Sequence, residues 1–126
     1  MSNLSSIAVP KIDSLTLAVS EADGLVLTGT IASRDPNPTI GAYFKKVHEQ
    51  LLATKPSKFT VDLTGLTFVN SSAVRLFIDW AMWIGQAGKT PPYKLHFRIA
   101  RSITWQQTNF TALQSLAPNV IEIESK

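Results

Sequence analysis

The stretch VDLTGLTFVNSSAVRLFIDW, from Val61 to Trp80, changes its hydrophobic period part-way along. Phe59 to Leu63 reads as a strand buried on at least one face, with Asp62 near its end. Thr64-Gly65 follows, and then a short apolar bridge from Leu66 to Val69. Asn70 is a strong helix cap, because its side-chain oxygen accepts a hydrogen bond from an otherwise unpaired N–H of the first turn. Behind it Val74, Phe77, Ile78, Ala81 and Ile84 or Gly85 recur at helical spacing. That stripe is expected to pack on a sheet, with Arg75 and Asp79 as an i, i+4 pair on another side. Gly88 supplies a C-terminal cap and Pro91-Pro92 a stop.

Toward the N-terminus, Leu15, Leu17 and Val19 alternate with Thr16 and Ala18, Asp23-Gly24 signals a turn, and Leu25, Leu27 and Gly29 alternate with Val26 and Thr28. This pattern predicts a β-hairpin. Ser33 to Pro38 is turn chemistry, and Thr39 opens a helix that carries Ile40, Tyr43, Phe44, Val47 and Leu51 and ends near Thr54, before Lys55-Pro56. On the C-terminal side Tyr93 to Ala100 reads as a fourth strand. There Leu95, Phe97 and Ile99 alternate with Lys94, His96 and Arg98, as expected of a strand with one solvated face toward a sheet edge. A weaker helix fits Ser102 to Ala117, with Phe110, Leu113 and Leu116 on one face, and Val120, Ile121 and Ile123 make a last short strand. The order predicts one α/β domain over residues 12–126, behind a flexible leader at 1–11. Its sheet is mixed or mostly parallel, of about five strands, with three helices.

With 126 residues, 44% of them hydrophobic and 17% charged, the chain has the composition of one ordinary globular domain. It has no cysteine, which excludes disulfides, thiolate metal sites and a thiol nucleophile, and fits a cytoplasmic setting. The net charge is +3, but the twelve Lys and Arg are scattered and only Lys45-Lys46 are adjacent, so no nucleic-acid-binding stripe is expected. The apolar stretch around Leu76 to Ile84 is broken by Asp79, and nothing approaches the roughly 20 residues of a membrane span. No secretory signal is read in MSNLSSIAVPK. Ser71, Asp79 and His96 mimic the chain order of a hydrolase triad, yet no Gly-x-Ser-x-Gly elbow surrounds Ser71, and Ser71 and Asp79 lie two turns apart on one helix. His48 and His96 have no cysteine or carboxylate cluster beside them in sequence, and no Gly-rich phosphate loop is present. The expectation is a protein that is not an enzyme and needs neither metal nor cofactor.

The residues from Val61 to Trp80 resemble the central signature of the STAS domain, the fold of the bacterial anti-sigma-factor antagonists. In that family a buried strand ends in Asp-Leu, an apolar bridge leads to an Asp-Ser-Ser-Gly turn, and an amphipathic helix follows. The counterparts here are Asp62-Leu63, Leu66 to Val69, and Asn70-Ser71-Ser72-Ala73. The element order extends the likeness over most of Leu15 to Ile123. The resemblance implies a STAS-like fold and a regulatory module in a phosphorylation-dependent partner switch. Ser71 is then the phosphoacceptor, a serine kinase or anti-sigma factor the partner, and a phosphatase the eraser. It also admits a non-phosphorylated accessory subunit of a transport or other assembly. Two positions depart from the pattern: Asn70 keeps the cap but removes a negative charge, and Ala73 replaces a glycine.

Independently of family, a serine in the first turn of a helix is usually exposed, and a phosphate there meets free N–H groups and the positive end of the helix dipole. The plainer reading is that Asn70, Ser71 and Ser72 only cap a helix. Loops leaving the carboxyl ends of parallel strands share a rim, which would set Arg34 and Arg101 near Ser71 to receive a phosphate or an acidic partner. Trp105 lies off the Phe110, Leu113, Leu116 face and reads either as an exposed partner anchor or as ordinary packing. Trp80 and Trp83, on the long helix, are expected to be core or half-buried.

Overall fold

The fold was obtained as a computed structural model, which describes residues 15–20, 24–31, 37–54, 57–86 and 93–126. The predicted leader, Asp23, Arg34, Lys55-Pro56, Gly88 and Pro91-Pro92 lie outside the described residues. Strands β1 (Leu15–Ser20) and β2 (Gly24–Ile31) are followed by a single π-helical stretch (Asn37–Gly41) and helix α1 (Ala42–Thr54). Then come β3 (Lys58–Val69), α2 (Ser71–Gln86), β4 (Lys94–Ile99), α3 (Thr104–Leu116) and β5 (Ile121–Ser125). The five strands lie in sequence order in one sheet. β1 is antiparallel to β2, and all later pairs are parallel.

That monotonic order decides where the core sits. Each right-handed crossover adds its strand on the same side, so all three helices fall on one face of the sheet. The strand residues that face them are buried: Leu25, Leu27, Val61, Leu63, Leu95, Phe97 and Ile121 among others. Aromatic rings join the layers. Phe44 of α1 lies 4.8 Å from Trp80 and 5.4 Å from Phe77 of α2, and Phe110 of α3 lies 5.4 Å from Phe77 and 4.8 Å from Phe97 of β4. The alternation in β4 has the same origin. β4 is not at an edge but between β3 and β5, and its Lys94, His96 and Arg98 look out from the face opposite the three helices.

Four further readings are corrected. β3 does not end at Leu63 but runs on through the apolar bridge to Val69. Thr64-Gly65 lies in a bulge inside the strand: pairing with β2 slips between Val26 and Thr28 and again between Gly29 and Thr30. Asp62 Oδ1 accepts from the Thr64 N–H (2.9 Å) and hydroxyl (2.7 Å) at the first slip, and the Thr67 hydroxyl donates to Gly29 O (3.1 Å) at the second. The buried stripe of α2 is Ala73, Leu76, Phe77, Trp80, Ala81 and Ile84, whereas Val74 and Ile78 are half-buried and Gly85 is exposed. Leu116 is 73% exposed, because the α3 stripe runs from Gln106 through Phe110 and Leu113 instead. Thr39, expected as the cap that opens the helix, lies inside the π-helical stretch that leads into α1.

Candidate functional site

The junction of β3 and α2 is built on Asn70. Its N–H donates to Ile31 O at the end of β2 (3.0 Å), and its Oδ1 accepts from the Ala73 N–H (2.9 Å). Its own carbonyl accepts from Ala73 and Val74 (3.1 Å each). The cap is thus formed as the sequence predicts, and α2 begins at Ser71. Ala73, in the position of the family's glycine, is fully buried, so its methyl group is part of the core. Ser71 and Ser72 are exposed, and the first turn carries no acidic residue. Their N–H groups belong to the helix start, where no intrahelical acceptor exists.

The other residues expected at this site are distributed differently. Arg34 lies outside the described residues. Arg101 is exposed in the turn after β4, and its N–H donates to Lys126 O (2.9 Å), so its backbone is tied to the C-terminal strand. No hydrogen bond or ion pair joins Arg101 to Ser71 among the described residues. The reason is the length of β3: β4 stops pairing at Asp62↔Arg98, well short of Ser71 along the strand. Trp105 is half-buried and packs against the core, with its Nε1 donating to Thr67 O (2.8 Å). Sequence reading missed its neighbour Gln106, a fully buried amide joined to both β3 and Ala100. Nothing in the pattern Thr-Trp-Gln-Gln marks which glutamine faces inward. It also missed Phe68, 49% exposed just before the site.

Both histidines have structural partners. His48 is buried in α1, and its Nδ1 lies 2.7 Å from the Tyr93 hydroxyl, which also accepts from Trp80 Nε1 at 2.7 Å. With the phenol oxygen accepting from Trp80, its own hydrogen is free for His48 Nδ1. Burial lowers the pKa of His48, helped by the nearby charge of Lys45 and opposed by Glu49, and burial likewise pushes the Tyr93 phenol up. His96 does have carboxylates beside it, contrary to the sequence reading, because parallel pairing of β4 with β5 sets Glu122 (3.1 Å) and Glu124 (2.9 Å) against its two ring nitrogens. Arg98 approaches Glu124 (3.4 Å) and Asp62 (3.7 Å), and Lys94 approaches Glu122 (3.9 Å), so cations share the same carboxylates. Among the described residues no group of three or more His, Cys, Asp or Glu is arranged to hold a metal ion.

No protein-family model matches the sequence, and neither does any curated protein. Solved structures similar to it include two regulatory proteins. One is a chain in the crystal structure of the diguanylate cyclase SiaD with its activator SiaC from Pseudomonas aeruginosa, and the chain matched is SiaC. The TM-score is 0.67 at 15% identity, covering 94% of this chain and 98% of that one. The other is an anti-sigma factor antagonist from Mycobacterium paratuberculosis, with a TM-score of 0.60 at 19% identity, covering 90% of this chain and 89% of that one. The fold is STAS-like: an α/β domain with a five-stranded mixed sheet and three helices.

Proposed function

We propose that this chain is a regulatory protein–protein interaction module of a partner switch, docking a protein through the start of α2 and carrying its phosphate on Ser71. One observation carries the reading: in a STAS-like fold, Ser71 stands exposed at the capped N-terminus of α2. Support comes from the two similar structures, an anti-sigma factor antagonist and the activator of a diguanylate cyclase, each named for its effect on another component. Asn70, Ser71 and Ser72 form the centre of the proposed docking surface, with Arg101 as an outlying cationic contact, Trp105 at its margin and Arg34 as a further candidate contact. The partner is a serine kinase or anti-sigma factor, a phosphatase removes the phosphate, and the setting is cytoplasmic. The module itself is not an enzyme.

The chemistry of the switch follows from the position. A phosphate on Ser71 adds nearly two negative charges, which the free N–H groups and dipole of α2 stabilise, so the modification costs the fold little while changing the charge of the surface by nearly two units. Asn70 caps the helix without the charge an aspartate would bring, which leaves the field around Ser71 more favourable to that phosphate. Phosphopeptide mapping of the protein isolated from its native cell should find phosphate on Ser71 and none in Ser71→Ala. A protein that never carries phosphate, yet co-purifies with one constant partner, would overturn the switch and favour the fixed accessory subunit.

A further inference from the structure

β3 outruns the strand on one of its sides. β2 follows it to Ile31↔Val69, but β4 pairs with it only as far as Asp62↔Arg98. Among the described residues, Leu63 to Val69 therefore has a strand neighbour on one edge alone, and that ladder slips register twice. The other edge is held by side chains from the first turn of α3. Gln106 Nε2 donates to Leu63 O (2.6 Å) and Leu66 O (2.7 Å), while its Oε1 accepts from the Ala100 N–H (2.7 Å). Trp105 Nε1 donates to Thr67 O (2.8 Å). These bonds run along the overhang in order, and beyond them the chain turns through Asn70 into Ser71.

We infer that Trp105 and Gln106 are positioning residues for Ser71: by fixing the free edge of the β3 overhang, the first turn of α3 sets where the Ser71 hydroxyl stands. The regulatory meaning of this role rests on the reading of Ser71 as the modified residue. Neither side chain has a hydrogen bond to Ser71, so both act through the strand. Gln106 is inseparable from stability, because its removal strands two carbonyls and an N–H in a buried place. Trp105 is separable. Its ring is only half-buried, and the segment from Thr67 to Val69 is otherwise anchored on either side, at Leu66 by Gln106 and at Asn70 by Ile31 O (3.0 Å). Losing the indole donor releases the outer edge of that segment, which its ladder to β2 and the Thr67 hydroxyl bond to Gly29 O (3.1 Å) still hold from the other side.

Trp105→Phe keeps an aromatic ring and drops the donor. In hydrogen exchange on the full chain, amides of residues 67–74 should exchange several-fold faster in this variant than in the parent, with those of α1 and β4 at parental rates. Trp83→Phe, which alters a half-buried ring elsewhere, should leave residues 67–74 at parental rates. Expressed in the native cell at equal protein level, Trp105→Phe should carry several-fold less phosphate on Ser71 than the parent. The positioning role is overturned if exchange over 67–74 is unchanged, or if it rises equally in α1 and β4. Parental phosphate occupancy despite a loosened 67–74 overturns it too. A parent that carries no phosphate sinks the reading of Ser71 alone, and the exchange result then decides the positioning role by itself.

Discussion

Asn70 joins the end of β2 to the start of α2 with its backbone N–H and side-chain oxygen, and so the two serines after it need no capping role of their own. Asn70→Ala should cost about 1 kcal/mol in urea unfolding, the usual loss for a removed cap, whereas Ser71→Ala should stay within about 0.5 kcal/mol of the parent. Equal losses at both positions would mean that Ser71 is a structural residue. On the proposed switch, partner binding should rank the parent and Ser71→Ala above Ser71→Glu, with the phosphorylated parent weakest, since glutamate brings one charge and lacks the tetrahedral oxygens. Ser72 sits about 100° further round the helix, so phosphate labelling should survive Ser72→Ala and vanish in Ser71→Ala. The reverse pattern would move the site to Ser72. The Asn70 cap was legible in sequence because capping is a local rule: it needs only its own turn. Trp105 and Gln106 were not legible, since what they hold lies across the fold on β3 and no local spacing encodes it.

At the scale of elements, the misreadings of β3 and of α2 come from local rules overridden by packing. Asp62, Thr64 and Gly65 have the composition of a strand's end, but β2 continues alongside, and a β-carbon at Gly65 would press into the Thr28 side chain. The chain keeps its ladder and absorbs the turn residues as a bulge. In α2 the periodicity was right and the phase was off, because nearly every position from Ala73 to Ile84 is apolar and two stripes compete. Trp80 settles the phase: its ring lies 4.8 Å from Phe44, and its N–H reaches the Tyr93 hydroxyl, so it faces inward and turns Val74 and Ile78 toward the margin. Substitution to alanine separates the two phases. Leu76→Ala should cost about 2–5 kcal/mol, as for a buried leucine, and Val74→Ala about 1 kcal/mol or less, both read from urea unfolding midpoints. A larger loss at Val74 than at Leu76 would restore the sequence phase and contradict the packing. Fold class, element order and the hairpin needed no such arbitration, because they rest on alternation and helical spacing in segments long enough to be unambiguous.

For the molecule as a whole, the face of the sheet opposite the helices and the core respond to acid in the same direction but in different windows. Among the described residues no helix is long and apolar enough to cross a membrane, and the buried polar side-chain groups are those of Gln106, the His48–Tyr93–Trp80 group and the Tyr43 hydroxyl. His48 is held below its ordinary 6.5 chiefly by burial, so between that value and its folded pKa the unfolded chain binds a proton that the folded chain refuses. Stability then rises with pH across this window: the contribution is complete above about pH 6.5 and is lost as pH falls toward the folded value. Glu122 and Glu124 are pulled below the ordinary carboxylate range, first of all by their hydrogen bonds to His96. Their contribution is present above that range and is lost only as pH falls through their folded values, a lower window than that of His48. The urea midpoint of the parent should therefore decline between about pH 7.5 and about pH 5.5, above the window in which the contributions of Glu122 and Glu124 are lost. His48→Gln retains an oxygen that can accept from the Tyr93 hydroxyl but does not titrate; it should start lower and hold nearly constant over the same interval. An equal slope in the two proteins would remove His48 as the cause. A flat parent would mean that the imidazole protonates in place, its buried nitrogens finding a partner for the charge that the folded core does not otherwise supply.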